Sequence, residues 1–389
     1  MTVDNFLDIY QQSLNKKGEQ LCGDKIKFLK TPQKTTIVLS DGLGSGVKAN
    51  ILASLTTEIL LIMLNADVPL EEVIKTVIAT LPICRMRKIA YSTFTIIQIN
   101  NHTGHFKIIN FDNPPFFYFR QGKVVQLATK IEKILDRKVI FAQGYLERGD
   151  FIGAVSDGVL YAGMGVELNF GWGWDNIAKH IEETLLWRSH TARNIVQDVI
   201  KKTHNLYRGE IGDDASFVGI YVRKRNPLII FTGPPLDKQQ DHIYVEKLLN
   251  FAGRKVICGG TTGNIVANYL KETIEMDLST IRKELPPIGK LSQVDLVTEG
   301  ILTISKATEY IKNCHGDIMR LDFDKNGAYL LAQEILNADS IVFLVGQKIN
   351  EFYQNPLLPK NISIRRNLIE NLVDFLRNKQ QKEVTIEYC

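Results

Sequence analysis

Three short acidic turns in this 389-residue chain carry the residue types that bind oxygen-loving cations. Ser40-Asp41-Gly42-Leu43-Gly44-Ser45-Gly46 follows the apolar run Thr36 to Leu39. Asp157-Gly158 closes the run Phe151 to Val155, and Gly212-Asp213-Asp214 precedes the alternating run Ser216 to Val222. A short carboxylate at the end of a rigid strand suits Mg2+ or Mn2+, because the glycine after it lets a backbone carbonyl approach the ion. The three turns read as one metal site split along the chain.

The surrounding periodicity predicts the elements that position these turns. A helix is expected over Val3 to Leu14, with Phe6, Ile9, Tyr10 and Leu14 on one side. A strand Thr35 to Ser40 delivers Asp41, and helices Val47 to Leu64 and Leu70 to Leu81 follow, the second ended by Pro82. Ala90 to Ile99 pairs with His105 to Asn110 across a hairpin loop, and Pro115 to Phe119 pairs with Val124 to Ala128. A strand Asp150 to Ser156, helices Trp174 to Leu185 and Thr191 to Tyr207, and the strand from Ser216 complete the region. Helices set between antiparallel pairs predict an α+β fold of two antiparallel sheets flanked by helices.

Arg223 to Pro227 marks a boundary, giving expected domains 1–224 and 225–389. In the second, strands Leu228 to Phe231, Lys255 to Cys258, Val294 to Thr298 and Ser340 to Val345 alternate with helices Lys238 to Phe251, Ile265 to Glu275, Ile301 to Asn313 and Asn326 to Ala338. Helix Arg365 to Gln380 and strand Val384 to Tyr388 end the chain. That rhythm predicts a smaller α/β domain with a mostly parallel sheet. Gly259-Gly260-Thr261-Thr262-Gly263-Asn264 is either a tight strand-to-helix turn or an anion receiver, and it lacks the Gly-Lys-Ser/Thr ending of a P-loop. Phe231-Thr232-Gly233-Pro234-Pro235 and Val345-Gly346-Gln347 also fall at strand carboxyl ends, where open parallel sheets bind ligands. A small ligand on this domain, in a sensing or regulatory role, is therefore an expectation.

Composition narrows the classes. With 47 basic and 43 acidic residues the net charge of +4 is small and evenly spread, which argues against nucleic acid or a membrane surface as partner. Five cysteines, odd in number and far apart, indicate neither a disulfide framework nor a zinc site and favour a reducing cytoplasm. The most apolar helical stretch, Ile51 to Leu64, is shorter than the roughly 20 residues of a membrane span.

Taken in order, Ser40 to Gly46, Val155-Ser156-Asp157-Gly158-Val159 and Gly212 to Phe217 resemble the motifs of the SpoIIE-type branch of the metal-dependent protein phosphatases, the protein phosphatase 2C superfamily. Cys22-Gly23-Asp24 resembles its Gly-Asp element, and Asn110-Phe111-Asp112-Asn113-Pro114-Pro115 its Asn-Ala-Gly-His-x-Pro segment, with Asp112-Asn113 where Gly-His is usual. Ala215-Ser216 replaces the usual Met-Thr, and neither change removes a carboxylate. The resemblance, over residues 20–222, implies a protein phosphatase 2C-like α-β-β-α sandwich with two divalent metals, Mn2+ or Mg2+, at one end. It implies that Asp41 bridges the metals, that the Gly42 carbonyl binds one, that Asp157 and Asp213 bind the second, and that Asp24 holds the first directly or through water. Asp214 aligns beside the last ligand.

The activity so implied is hydrolysis of phosphoserine or phosphothreonine on a partner protein by a water or hydroxide bridging the two metals, with an anti-sigma-factor antagonist as the family-level substrate. Water is a poor nucleophile at neutral pH and a phosphomonoester dianion repels hydroxide; two cations about 3.5 to 4 Å apart address both obstacles. Carboxylates gathered without metals would repel one another. Other readings are a catalytically silent docking or sensor module with the phosphatase fold, or a front half that regulates an activity in the second domain. His102, His105 and His190 are candidate general acids or merely solvated, and Trp172 and Trp174 are candidates for protein docking or for core packing.

Overall fold

The computed structural model describes residues 5–80, 92–187, 191–282, 285–348, 364–380 and 382–389. It divides into two compact units, Met1–Lys224 and Arg225–Cys389.

In the first unit the elements are β1 (Asn5–Leu14), β2 (Asp24–Lys30), β3 (Lys34–Gly42), α1 (Gly46–Asn65), α2 (Leu70–Thr80), β4 (Ser92–Asn100), β5 (His105–Phe111) and β6 (Phe117–Arg120). They continue with β7 (Lys123–Val124), β8 (Thr129–Ile134), β9 (Arg137–Tyr145), β10 (Phe151–Val155), α3 (Asp157–Leu160), α4 (Trp174–Trp187), α5 (Ala192–Leu206) and β11 (Ala215–Lys224). The strands form a five-stranded sheet, β1-β11-β10-β6-β7, and a six-stranded sheet, β2-β3-β4-β5-β9-β8, antiparallel throughout.

Alternation along these strands fills three apolar layers. Ile37, Leu39, Ile97, Ile108, Ile152, Val218 and Ile220 pack between the two sheets. Val38, Phe94, Ile96 and Phe111 face outward against Leu60, Leu61 and Val73 of α1 and α2. Phe117, Phe151 and Phe217 face Ile177, Ile181, Val196 and Val199 of α4 and α5. The result is the α-β-β-α sandwich expected of a protein phosphatase 2C-like fold.

The expected first helix is instead strand β1, paired with β11 over its whole length from Asn5↔Lys224 to Leu14↔Ala215. Both faces of β1 are covered. Leu7 and Ile9 face the inter-sheet layer, while Tyr10 and Leu14 pack beneath the helices. Apolar residues on both faces blur the period of two into one that mimics a helix. Strands β2, β8 and β9 have no counterpart in the sequence pattern, and the expected start of a strand at Ala90 and helix end at Leu81-Pro82 lie outside the described residues.

Helix α1 is longer than expected, at 20 residues, and by length and composition it is apolar enough to cross a membrane. Its Ala49, Ala53, Leu60, Leu61 and Leu64 are buried, whereas Val47, Ile51, Leu55 and Ile62 are exposed.

A buried carboxylate ties the lower strands together. Asp150 accepts from Tyr118 OH at 2.9 Å, Arg120 Nε at 3.2 Å and Nη2 at 2.9 Å, and the Glu147 N–H at 2.9 Å. Removing it takes the acceptor from Tyr118 OH and the Glu147 N–H and leaves Arg120 with the Tyr145 carbonyl and Glu147, so Asp150→Ala is expected to cost about 1 to 3 kcal/mol in urea denaturation. An unchanged midpoint would show that the cluster adds nothing to stability.

The second unit comprises β12 (Pro227–Thr232), α6 (Asp241–Leu249), β13 (Arg254–Cys258), α7 (Gly260–Leu270), β14 (Glu275–Asp277), β15 (Ile288–Leu291), β16 (Val294–Thr298), α8 (Ile301–Asn313), α9 (Gly327–Asn337), β17 (Ser340–Val345), α10 (Ile364–Asn378) and β18 (Glu383–Tyr388). Its sheet runs β14-β15-β16-β13-β12-β17-β18. The strands from β16 to β18 are parallel, as the alternating rhythm predicts. The unforeseen β14 and β15 add an antiparallel edge, so the sheet is mixed. Residues from α8, α9 and α10 pack on one face and from α6 and α7 on the other.

Candidate metal centre

Strand register brings the first two carboxylates together. In the β2–β3 pair Asp24 lies directly opposite Asp41, and in the β3–β4 pair Asp41 lies opposite Thr93. Gly42 N–H donates to Gly23 O at 3.2 Å, extending the ladder past both residues. In the other sheet Val155 of β10 pairs with Phe217 of β11. Asp157, just past β10, and Asp213-Asp214, just ahead of β11, therefore meet at one end of that sheet.

A serine joins the two sheets at this point. Ser156 Oγ donates to Asp24 Oδ2 at 2.7 Å and accepts the Ser216 N–H at 2.8 Å, and Asp24, Ser156 and Ser216 are all buried. Ser156→Ala would leave an Asp24 oxygen and a backbone N–H bare, at an expected cost of about 1 to 3 kcal/mol. Thermal unfolding in chelator checks this, and a melting temperature equal to the parent's would contradict it.

The glycines here serve close packing. A Cβ on Gly42 would lie 2.7 Å from the carbonyl carbon of Ala49 in the first turn of α1, and one on Gly158 would lie 2.9 Å from that of Asp214. Both distances are far inside van der Waals contact with backbone that cannot rotate away. A Cβ on Gly23 would press within 2.8 Å of Asp214 Oδ2.

The electrostatics are those of a crowded acidic site. Asp41 is pushed up to about 9, first by burial and then by the charges of Asp24, Asp157 and Asp213. Asp24 is raised to about 7 by burial, against the opposing hydrogen bonds from Ser156 and Ser216. Asp157 is raised by burial and then by Asp213. Asp24 Oδ1 and Asp214 Oδ2 are buried without a hydrogen-bond partner. Asp214 Oδ1 accepts the Lys16 N–H at 3.0 Å, and the Lys16 ammonium lies 3.6 Å from Asp213 Oδ1.

Among the described residues no three acidic, histidine or cysteine side chains converge tightly enough to hold an ion as they stand. The residue types nevertheless fit hard divalent cations. The donors are all oxygen, two of the oxygens are orphaned in the interior, and burial together with mutual repulsion favours the protonated form of neighbouring carboxyls, where a cation would replace the proton.

The Asn110 to Pro115 segment reaches the same end. Thr93 Oγ1, on the residue opposite Asp41, donates to Asn113 Oδ1, and Asn113 Nδ2 reaches Thr95 Oγ1 at 3.1 Å. Asp112 has φ +53°, so the residue standing where the family has glycine keeps a left-handed backbone. His102 and His105 lie at the opposite end of β4 and β5, roughly 25 Å along the strands from Asp41. They are not candidates for general acid there, and His190 lies outside the described residues. Trp172 is buried and Trp174 stacks on Phe117 with ring centroids 5.1 Å apart, so both belong to the core. Sequence reasoning missed Ser156, Ser216 and Lys16. Ser156 and Ser216 both stand inside the motifs, while nothing in the sequence singles out Lys16.

Residues 31–223 match the family model "Stage II sporulation protein E (SpoIIE)". The first unit thus carries a SpoIIE-type, protein phosphatase 2C-like domain. The second unit carries no family assignment. Among solved structures, the protein phosphatase 2C domain of SpoIIE from Bacillus subtilis with a fragment of its regulatory domain is 19% identical, with TM-score 0.49. That match covers 57% of this chain and 65% of the other, so the chain spans slightly less than two thirds of that relative. The same phosphatase domain in a form without domain swapping is 20% identical, with TM-score 0.44, covering 58% and 95%. The RsbU and RsbW domains of a Mycobacterium tuberculosis protein are 16% identical, with TM-score 0.46, covering 63% and 68%. No curated protein sequence matches the chain. At such identities and TM-scores the family match and the chain's own geometry carry the assignment.

Proposed function

We propose that the first unit is a serine/threonine phosphoprotein phosphatase that depends on two divalent cations, Mn2+ or Mg2+. The observation that carries this reading is the meeting of Asp24 and Asp41 from one sheet with Asp157 and Asp213 from the other, among buried carboxylate oxygens left without partners. Asp24, Asp41, the Gly42 carbonyl, Asp157 and Asp213 would hold the ions, with Asp214 beside them. When bound, two such cations acidify a water and offset the charge on a phosphoryl group.

The chain's own groups orient these donors. Ser156 holds Asp24, the Lys16 N–H holds Asp214, and the Asp214 N–H donates to Asp213 Oδ1 at 3.0 Å. Asp213 leaves about half of its side chain exposed, at 47%, so a phosphorylated side chain projecting from a protein surface can reach the site. The substrate we propose is accordingly a phosphorylated protein, with an anti-sigma-factor antagonist as the family-level candidate. Cys22, Cys258, Cys314 and Cys389 are free thiols, which fits the reducing cytoplasm proposed for it.

The test is phosphate release by the full chain from an aryl phosphate and a phosphothreonine peptide, with Mn2+, with Mg2+ and with chelator. Release that requires a divalent cation supports the proposal. Cation binding without release favours a docking module, and failure to bind a cation overturns the site.

A further inference from the structure

The second unit repeats a known topological situation. Starting from β12, the chain moves outward through β13 to β16, then returns to the other side of β12 for β17 and β18. The direction of winding reverses between β12 and β17, and in open parallel sheets such a reversal opens a ligand crevice at the strands' carboxyl ends.

Four observations converge there. First, the N-terminus of α7 is uncapped: Gly259 supplies no side-chain bond, and Gly263 N–H is the first to close a helical bond, to Gly259 O at 2.8 Å. The N–H groups of Gly260, Thr261 and Thr262 stay outside the helical ladder, with open space where a Gly260 side chain would stand. The neighbouring α8 and α9 are capped by their own chain, through Glu299 to the Leu302 N–H at 3.1 Å and Asn326 to the Tyr329 N–H at 2.8 Å.

Second, Thr262 is fully buried and its hydroxyl has no hydrogen-bond partner. That oxygen is turned back over the α7 entrance, 3.3 Å from where a Gly259 Cβ would sit. Third, the Thr232 hydroxyl at the end of β12 is likewise buried and unpartnered. Isolated hydroxyls inside a protein are costly, and they are satisfied by a protein group, an ordered water or a ligand.

Fourth, a largely buried guanidinium lies across the switch point. Arg365, at the start of α10, donates to Gly346 O at 2.9 Å, and among the described residues no carboxylate stands within ion-pair distance of it. Burial draws its pKa down against the opposing charges of Cys389 and Glu299, the sign of a cation held partly out of water. Gly233 separates it from α7: a Cβ there would run into the guanidinium, while the Gly233 nitrogen is 4.0 Å from the Cβ position of Gly259.

We propose that this end of the sheet binds a small phosphate-bearing molecule. Its phosphate is received by the first N–H groups of α7 and the Thr262 hydroxyl, and Arg365 supplies the opposing charge. The inference does not depend on the phosphatase reading of the first unit.

The experiment is isothermal titration of the full chain, in chelator so that divalent cations play no part, with inorganic phosphate, AMP, ATP and glucose 6-phosphate as probes. At least one is expected to bind with a dissociation constant below about 1 mM. Equal binding of inorganic phosphate and the esters identifies free phosphate as the ligand, and tighter binding of one ester identifies its organic part as read by the site. Arg365→Gln and Gly260→Asp should each weaken binding about tenfold or more. The Gly260 substitution meets open space and places a carboxylate at a helix N-terminus, so the melting temperature should not fall. Absence of binding by every probe at about 10 mM, or binding undiminished in both variants, overturns the proposal.

Discussion

Asp41→Asn is expected to lower cation-dependent phosphate-ester hydrolysis about a thousandfold or more while leaving the protein folded. Asp41 is the carboxyl on which the charges of Asp24, Asp157 and Asp213 all act, and its loss would remove the donor proposed to bridge the two cations. The same substitution makes an opposite prediction for stability without cations. The folded-state pKa of Asp41, about 9, lies above the ordinary carboxylate value, so the folded protein binds more protons than the unfolded chain between these limits. Stability in chelator therefore falls as pH rises from about 4 toward 9, most of all in the parent protein. Asparagine cannot ionise, and the variant's melting temperature in chelator should decline less over that range. Loss of activity with an equally steep decline would mean that Asp41 is not the electrostatic centre of the site.

Gly42→Ala should produce the largest loss of stability among single-methyl changes near the site. The added carbon would meet the carbonyl carbon of Ala49 at 2.7 Å and its Cα at 2.9 Å, and neither can turn aside because both belong to the first turn of α1. Either α1 moves off β3 or β3 bends, and both disturb the strand end that carries Asp41. A cost of about 3 kcal/mol or more is expected, visible as a drop of roughly 6 to 12 °C in melting temperature. A melting temperature within a degree or so of the parent's would show that α1 does not pack on Gly42 as described.

Much of the candidate site was legible because its proposed ligands stand at strand ends beside glycine, where chain reversal and close approach force particular residue types. Asp41, Asp157 and Asp213 could be marked from those turns alone. Asp24 could not: its position opposite Asp41 depends on strand pairing, which no local pattern states, and only the family resemblance brought it forward. Ser156 was hidden for a related reason, since its bond to Asp24 reaches between sheets across 132 residues of sequence, and the Ser216 N–H that it accepts lies 60 residues away.

The fold shows the same division. Parallel strands buried on both faces, such as Ile341 to Val345, announce themselves as apolar runs between helices. Strand β8, Thr-Lys-Ile-Glu-Lys-Ile, lies at a sheet edge with mostly exposed side chains and carries too little apolar alternation to be found. Strand β1 failed in the opposite way, with so much apolar surface on both faces that its period was lost.

The central claim is that carboxylates from two sheets form one cation site, and crystals grown or soaked with Mn2+ test it most directly through the anomalous scattering of the metal. Two manganese peaks among Asp24, Asp41, Asp157 and Asp213 are predicted, with Asp41 touching both. No peak among these residues at saturating Mn2+, or peaks only at surface carboxylates elsewhere, would contradict it.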